Sequence, residues 1–195
     1  MTPDAALSVR EARGRYFADN GFGADGGYAK RWVTVRLGPL PLAFPNTAAR
    51  VRAVRYHDLH HVVTGYRTDV VGEAEIGAWE VGGGCAGFGA AWLLNLYAMV
   101  LGFGAGAPGA VWRAFVRGRR TRNLYRTPWS ETLLDAPVAD LRSRLGLDAV
   151  PASPGPATGA ERVAFAAWSV AALALATITL AALSTPFWLA VRTLL

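Results

Sequence analysis

A chain of 195 residues has room for one good domain and something extra, and this one is 52% hydrophobic with only 17% charged residues, a balance that points to a membrane or a lipid. The net charge of +6 is carried by arginine, with Lys30 the only lysine, and no helix-turn-helix, zinc-finger or RNA-recognition pattern accompanies it, so nucleic acid is not an expected partner. The single cysteine, Cys85, excludes an internal disulfide, and residues 1–10 lack the apolar core of a signal peptide.

The first predicted element is a short amphipathic helix from Leu7 to Asn20, closed by Asn20-Gly21, a pair that accepts positive φ. Gly21 to Asn46 reads as a connector. Trp32, Val33 and Val35 suit a short extended piece, and Pro39, Pro41 and Pro45 argue against a long helix. A second helix starts with Asn46 or Thr47 as N-cap and runs to Thr64, where Gly65 stops it. Thr68 or Asp69 caps a third helix carrying Glu73, Glu75 and Glu80, and Gly82-Gly83-Gly84 interrupts it. Cys85 to Gly106 is an apolar, aromatic-rich helix, and no charged residue occurs between Val81 and Trp112. That stretch suits a buried or lipid-facing core helix better than a span.

Six arginines follow, at 113, 117, 119, 120, 122 and 126, the composition of a solvated basic flank or an anion-binding face. Ser130, Glu131 and Ala136 to Gly146 suggest one more short amphipathic helix. Pro151 to Thr158 has linker composition. Beyond it Val163 to Val191 carries no charge, and Val163 to Leu183 alone meets the roughly 20 apolar residues a transmembrane helix needs. Ser184-Thr185-Pro186 is expected to break or kink it. The fold class expected is therefore all-α. A helical metal- and lipid-binding domain covers 1–150, a linker 151–161, and a single-pass C-terminal anchor 162–195. The arginine-rich domain ahead of the span is placed on the cytoplasmic side by the positive-inside rule.

The chemistry concentrates in one place. All three histidines, His57, His60 and His61, fall in one turn and a little more of the second helix. His57 and His61 are i and i+4 and share a face, and Asp58 borders it. His60 points elsewhere and reads as an outer-shell or structural residue. A second helix reached through the Gly65 turn can bring Glu73 opposite, and two imidazoles with two carboxylates suit zinc, cobalt, iron or manganese better than calcium or magnesium. A solvated helix face is the alternative reading of the same spacing. Glu75 and Glu80 read first as solvated or capping residues, but Glu80 shares the face of Glu73 and is a candidate base or outer-shell partner. The His57-Asp58-Leu59-His60-His61 run also fits a histidine box of membrane di-iron enzymes and the His-Asp pair of phosphohydrolases. Both need ligands beyond the three histidines present. No phosphate-cradling loop is convincing, and Cys85 has no evident base beside it.

The run His57-Asp58-Leu59-His60-His61, eleven residues, then Glu73 resembles the HDxxHx11E signature of the coenzyme Q biosynthesis protein four family. Asn20-Gly21-Phe22, the words from Thr64 to Glu73, Arg117-Gly118-Arg119-Arg120, Trp129-Ser130-Glu131 and Pro137 to Leu147 extend the resemblance over roughly residues 10 to 150. The connector from Gly26 to Asn46 and the hydrophobic tail depart from it. The resemblance implies His57, Asp58, His61 and Glu73 as ligands of a divalent metal, zinc first, with Glu73, His57 and Asp58 nearest the chemistry. It implies a helical, membrane-associated domain that holds a prenylated quinone precursor and works beside other quinone-biosynthesis proteins, with homo-oligomers allowed. The implied activity is lyase-like, the oxidative replacement of the ring C1 carboxyl group by a hydroxyl in ubiquinone biosynthesis. The alternative role is a non-catalytic prenyl-lipid scaffold. On either view the apolar helix from Cys85 to Gly106 is expected to line the prenyl-tail cavity.

Overall fold

The computed structural model describes residues 6–37 and 40–194, with side chains for 6–34 and 43–185, so Pro39 lies outside the described residues. The architecture is all-helical apart from one hairpin. Helix α1 (Val9–Asp19) opens on a capping box in which Ser8 and Glu11 satisfy each other's backbone N–H groups. Strands β1 (Trp32–Leu37) and β2 (Leu40–Pro45) pair antiparallel from Trp32↔Pro45 to Leu37↔Leu40. The extended piece expected at Trp32 is thus half of a hairpin, and Pro41 and Pro45 fit β2 because a two-stranded ribbon leaves each strand an unpaired edge. Asn46 donates to the carbonyls of Gly27, Tyr28 and Lys30 and ties the connector to the next helix.

Helix α2 (Ala48–Thr64) is capped by the Thr47 hydroxyl and ends on Gly65, whose φ of 76° is the left-handed value the reversal requires. Helix α3 (Val70–Gly83) starts on the Asp69 cap and ends at Gly84. Helix α4 (Gly89–Gly104) is shorter than the apolar run suggested, because Cys85 to Phe88 form a turn. Helix α5 (Pro108–Arg120) was not evident from the sequence. Its Pro sits in the first turn, where a missing N–H costs nothing, and three of its four arginines, Arg117, Arg119 and Arg120, fall in its last turn. A 3-10 turn (Leu124–Arg126) leads to α6 (Glu131–Asp135) and α7 (Val138–Leu145). One amphipathic helix was expected here. Pro137 lacks an N–H and disfavours helix at Ala136, so the segment divides in two.

The core is built on α3, which packs between α4 and α5. Small residues set these spacings. A Cβ on Gly82 would lie 2.4 Å from the Phe115 carbonyl oxygen, and one on Gly118 only 2.1 Å from that of Trp79, so α3 and α5 touch backbone to backbone. Trp79, Phe115, Leu59, Val63 and Leu124 fill the interior. The Ser8–Pro137 bridge and the Arg10 pairs with Glu131 and Asp135 close α1 against α6.

Helix α8 (Gly159–Leu194) runs unbroken through Ser184, Thr185 and Pro186, against the expected break. Ser184 and Thr185 turn their hydroxyls back onto the Ala181 carbonyl, one turn ahead of the proline. Residues 159–185 of α8 form the one described helix long and apolar enough to cross a membrane. A soluble core helix would be mostly buried, whereas 6% of its most apolar window is. The linker does not detach it. Trp168 stacks on Trp92 of α4, Phe165 packs on Phe103, Trp112 and Phe115, and Arg120 makes a two-pronged pair with Glu161 at 2.7 and 2.8 Å.

Candidate metal centre

The exposed-to-buried gradient along α2 places its last two turns in the interior, with Asp58, Leu59, His60 and His61 all buried. The Gly65 reversal folds α3 back so that Glu73, in its first turn, faces His57 and His61. These three residues bring one donor atom each within 4.8 Å of the others. The Nε2 atoms of His57 and His61 are 3.2 Å apart, and Glu73 places Oε2 3.3 Å from the first and Oε1 3.3 Å from the second. A tetrahedral metal with ligand bonds of about 2.0–2.1 Å has ligand–ligand edges of about 3.3 Å.

The other ring nitrogens decide what these atoms can do. His57 Nδ1 donates to Glu80 Oε1 at 2.9 Å, and His61 Nδ1 donates to the Tyr66 carbonyl at 2.9 Å. Both partners accept only, so in the neutral imidazoles both Nε2 atoms carry lone pairs. Two lone pairs and a carboxylate then converge on one point, which requires a cation there, either an extra proton or a metal ion. A carboxylate or carbonyl behind each imidazole is the usual outer support of a histidine ligand.

The electrostatics agree. Burial alone would push the His57 imidazole down, but the Glu80 charge and its contacts with Glu73 and Glu80 outweigh it and hold it well above the usual histidine value. Partial burial would raise Glu73, yet hydrogen bonds from His57 and His61 bring it to about 2. The Glu73 and Glu80 carboxylates thus favour positive charge at His57.

Asp58 stands beside the three-residue group and outside it. Its carboxylate accepts from the Tyr28 hydroxyl at 2.5 Å, and burial raises its pKa against that bond. The connector, through Tyr28, thus occupies the carboxylate that the resemblance assigns to the metal. His60 is structural, as its different direction on the helix implied. Its Nδ1 donates to Glu80 Oε1 at 2.7 Å and its Nε2 accepts the Leu124 N–H at 2.9 Å. Glu75 is partly exposed on the flank of α3.

Glu80 holds the centre from behind. It is fully buried and accepts from four side chains, His57 and His60 on Oε1, Asn95 and Tyr125 on Oε2, the last two both at 2.5 Å. Burial would raise its pKa, but the charges and hydrogen bonds of His57 and His60 keep it well below the usual carboxylate range. Sequence reasoning missed Tyr28, Tyr66, Asn95 and Tyr125. Asn95 had a signal, since it is the only amide in the uncharged stretch from Val81 to Trp112. The Tyr66 contribution is a backbone oxygen and had none.

A cleft of about 570 Å³ opens beside His61, lined by α1 and the α2–α3 turn, with Tyr16 stacked on the His61 ring at 5.4 Å. Its walls are not α4, which instead packs on α3 and α8. Against family models, curated proteins and solved structures, the chain finds no match.

Proposed function

We propose that this chain is a membrane-anchored, metal-dependent enzyme of prenylquinone biosynthesis. It removes the C1 carboxyl group of a prenylated aromatic acid as carbon dioxide and leaves a hydroxyl in its place. The observation that carries the reading is the convergence of His57 Nε2, His61 Nε2 and a Glu73 oxygen within 4.8 Å, in the pattern that resembles the family signature. Three protein ligands leave a coordination position open, the arrangement of catalytic rather than structural zinc sites. When bound, a divalent ion, zinc first and cobalt, iron or manganese next, supplies Lewis-acid polarisation of a carboxylate or phenolate oxygen. Glu80 and the Tyr66 carbonyl fix the two imidazoles, Glu73 is partly exposed, and Asp58 with Tyr28 flanks them. The cleft volume is in the range that takes a small molecule, and its tyrosines suit an aromatic ring. Replacing carboxyl by hydroxyl is a two-electron oxidation; with dioxygen as the external oxidant, the two electrons would leave in hydrogen peroxide and water would supply the hydroxyl oxygen. The exposed Arg113, Arg119 and Arg122, which precede α8 in the chain, support a cytoplasmic domain under the positive-inside rule.

The test is to purify the full chain and its Glu73→Ala variant from metal-replete cells. Bound metal is measured by elemental analysis, bound lipid by mass spectrometry, and turnover with a prenylated hydroxybenzoate under air. The expected result is near-stoichiometric metal and product from the wild type and neither from the variant. A metal-free wild type, or product formation indifferent to Glu73→Ala, overturns the reading.

A further inference from the structure

Helix α4 is too short to cross a bilayer, since its 16 residues span about 24 Å at 1.5 Å per residue against a hydrocarbon core of about 30 Å. It is nevertheless built like a membrane element. Its three polar side chains all find partners inside the chain. Trp92 donates to the Ala86 carbonyl, Asn95 to Glu80, and the Tyr97 and Thr179 hydroxyls bond each other at 2.5 Å. Its last turn is closed as well, with the Leu101, Gly102 and Phe103 carbonyls accepting from residues 105–107. Internal satisfaction of polar groups is what an acyl environment demands and water does not.

The packing of α4 has the same character. Toward α3 it meets small residues: a Cβ on Gly102 would lie 2.4 Å from that of Ala74, and one on Gly77 3.1 Å from that of Ala98. Toward α8 it touches Phe165, Trp168 and Thr179, positions separated by about 21 Å along that helix, most of a bilayer's apolar depth. What remains outward on α4 is Leu93, 46% exposed, and Leu101, 44% exposed, while Val170 and Ile178 of α8 are 66% and 67% exposed. Large apolar side chains left outward on both helices call for an apolar cover.

We propose that α4 is a second membrane-embedded element, lying in the acyl region beside α8 without crossing, with its Leu93–Leu101 face covered by lipid. This rests on the reading of α8 as a membrane span. A helix that packs on α8 at Phe165 and again at Thr179 shares its depth. The exposed Arg113, Arg119 and Arg122 lie on or just after α5 and not on α4, and Glu161 is paired with Arg120. Through Asn95 and Glu80 the candidate metal centre is linked to α4 and stands one helix behind it.

The test uses the full chain in phosphatidylcholine–phosphatidylglycerol vesicles, with a nitroxide label on a cysteine at Leu93, Leu101, Leu173 or Arg119 in turn. Collision with oxygen, which partitions into lipid, is compared with collision with a water-soluble nickel chelate. The expected result is oxygen-dominated relaxation at Leu93, Leu101 and Leu173, several-fold above the ratio at Arg119. Nickel-dominated relaxation at Leu93 and Leu101 with Leu173 still in lipid overturns the embedding of α4 and leaves the α8 span standing. Nickel access at Leu173 removes the span and the inference together. Shielding of Leu93 and Leu101 from both reagents, with dipolar broadening between labels, shows a second copy on the face and also overturns the proposal.

Discussion

Glu73 and Glu80 stand seven residues apart on one face of α3, and the two ends of that helix use the same side chain in opposite ways. At the N-terminal end the Glu73 side chain is 39% exposed and faces two imidazole Nε2 atoms across 3.3 Å. At the C-terminal end Glu80 is fully buried and receives four hydrogen-bond donors. One carboxylate is free to accept a cation from outside. The other is spent on holding the residues that do so. The contrast shows that reactivity on this helix follows solvent access and donor supply rather than residue type.

The largest way to break the contrast is Glu80→Ala. It strands the buried His60, the partly exposed His57, an amide and a phenol, and should cost about 3–5 kcal/mol of stability, the range for removing one partner of a buried ionic network. Chemical denaturation of the detergent-solubilised chain checks this, and a loss under about 1 kcal/mol would contradict the role given to Glu80. On the proposed reading, Glu73→Ala removes a ligand rather than a support. It should weaken zinc binding by at least about 100-fold, or about 2.7 kcal/mol, while the metal-free fold changes little because the side chain is partly solvated. Competition against a chromogenic chelator reads the first effect and denaturation of the apo form the second.

Tyr28→Phe sharpens the comparison at its edge. It frees the Asp58 carboxylate, should cost about 1 kcal/mol of apo stability, and leaves Asp58 able to approach the metal. Tighter zinc binding in this variant would show that Asp58 is a ligand held in reserve by the connector. The smallest effect is expected at Cys85. Burial and the Glu80 charge raise its thiol well above the usual value, against the Asn95 hydrogen bond. Iodoacetamide at pH 8 should leave it unmodified in the native chain and alkylate it only after denaturation. Mass spectrometry settles this, and native labelling would mean that the wall around Glu80 is open.

Local chemistry made much of the fold legible. The Thr47 and Asp69 caps and the Gly65 and Gly84 stops lie where the residue types put them, because these ends depend on one side chain or one φ angle. The apolar length of α8 needed no structure either. Helix α5 escaped notice because its crowding of arginines looked like a flank, and the division at Pro137 turned on a single missing N–H. Of the break or kink expected at Ser184-Thr185-Pro186, the break did not occur, since a proline's local cost does not by itself end a long helix.

By itself the sequence determined which side chains share a helix face, His57 with His61, and how far along the chain Glu73 follows, because helical periodicity is a property of the backbone. Only the tertiary structure decided what those side chains are. It turned both imidazoles by engaging their Nδ1 atoms with Glu80 and the Tyr66 carbonyl, gave Asp58 to Tyr28, and set α8 against α4 instead of beyond a loose linker. Each of these outcomes depends on a partner from another element, and no spacing within one segment encodes where another segment will lie.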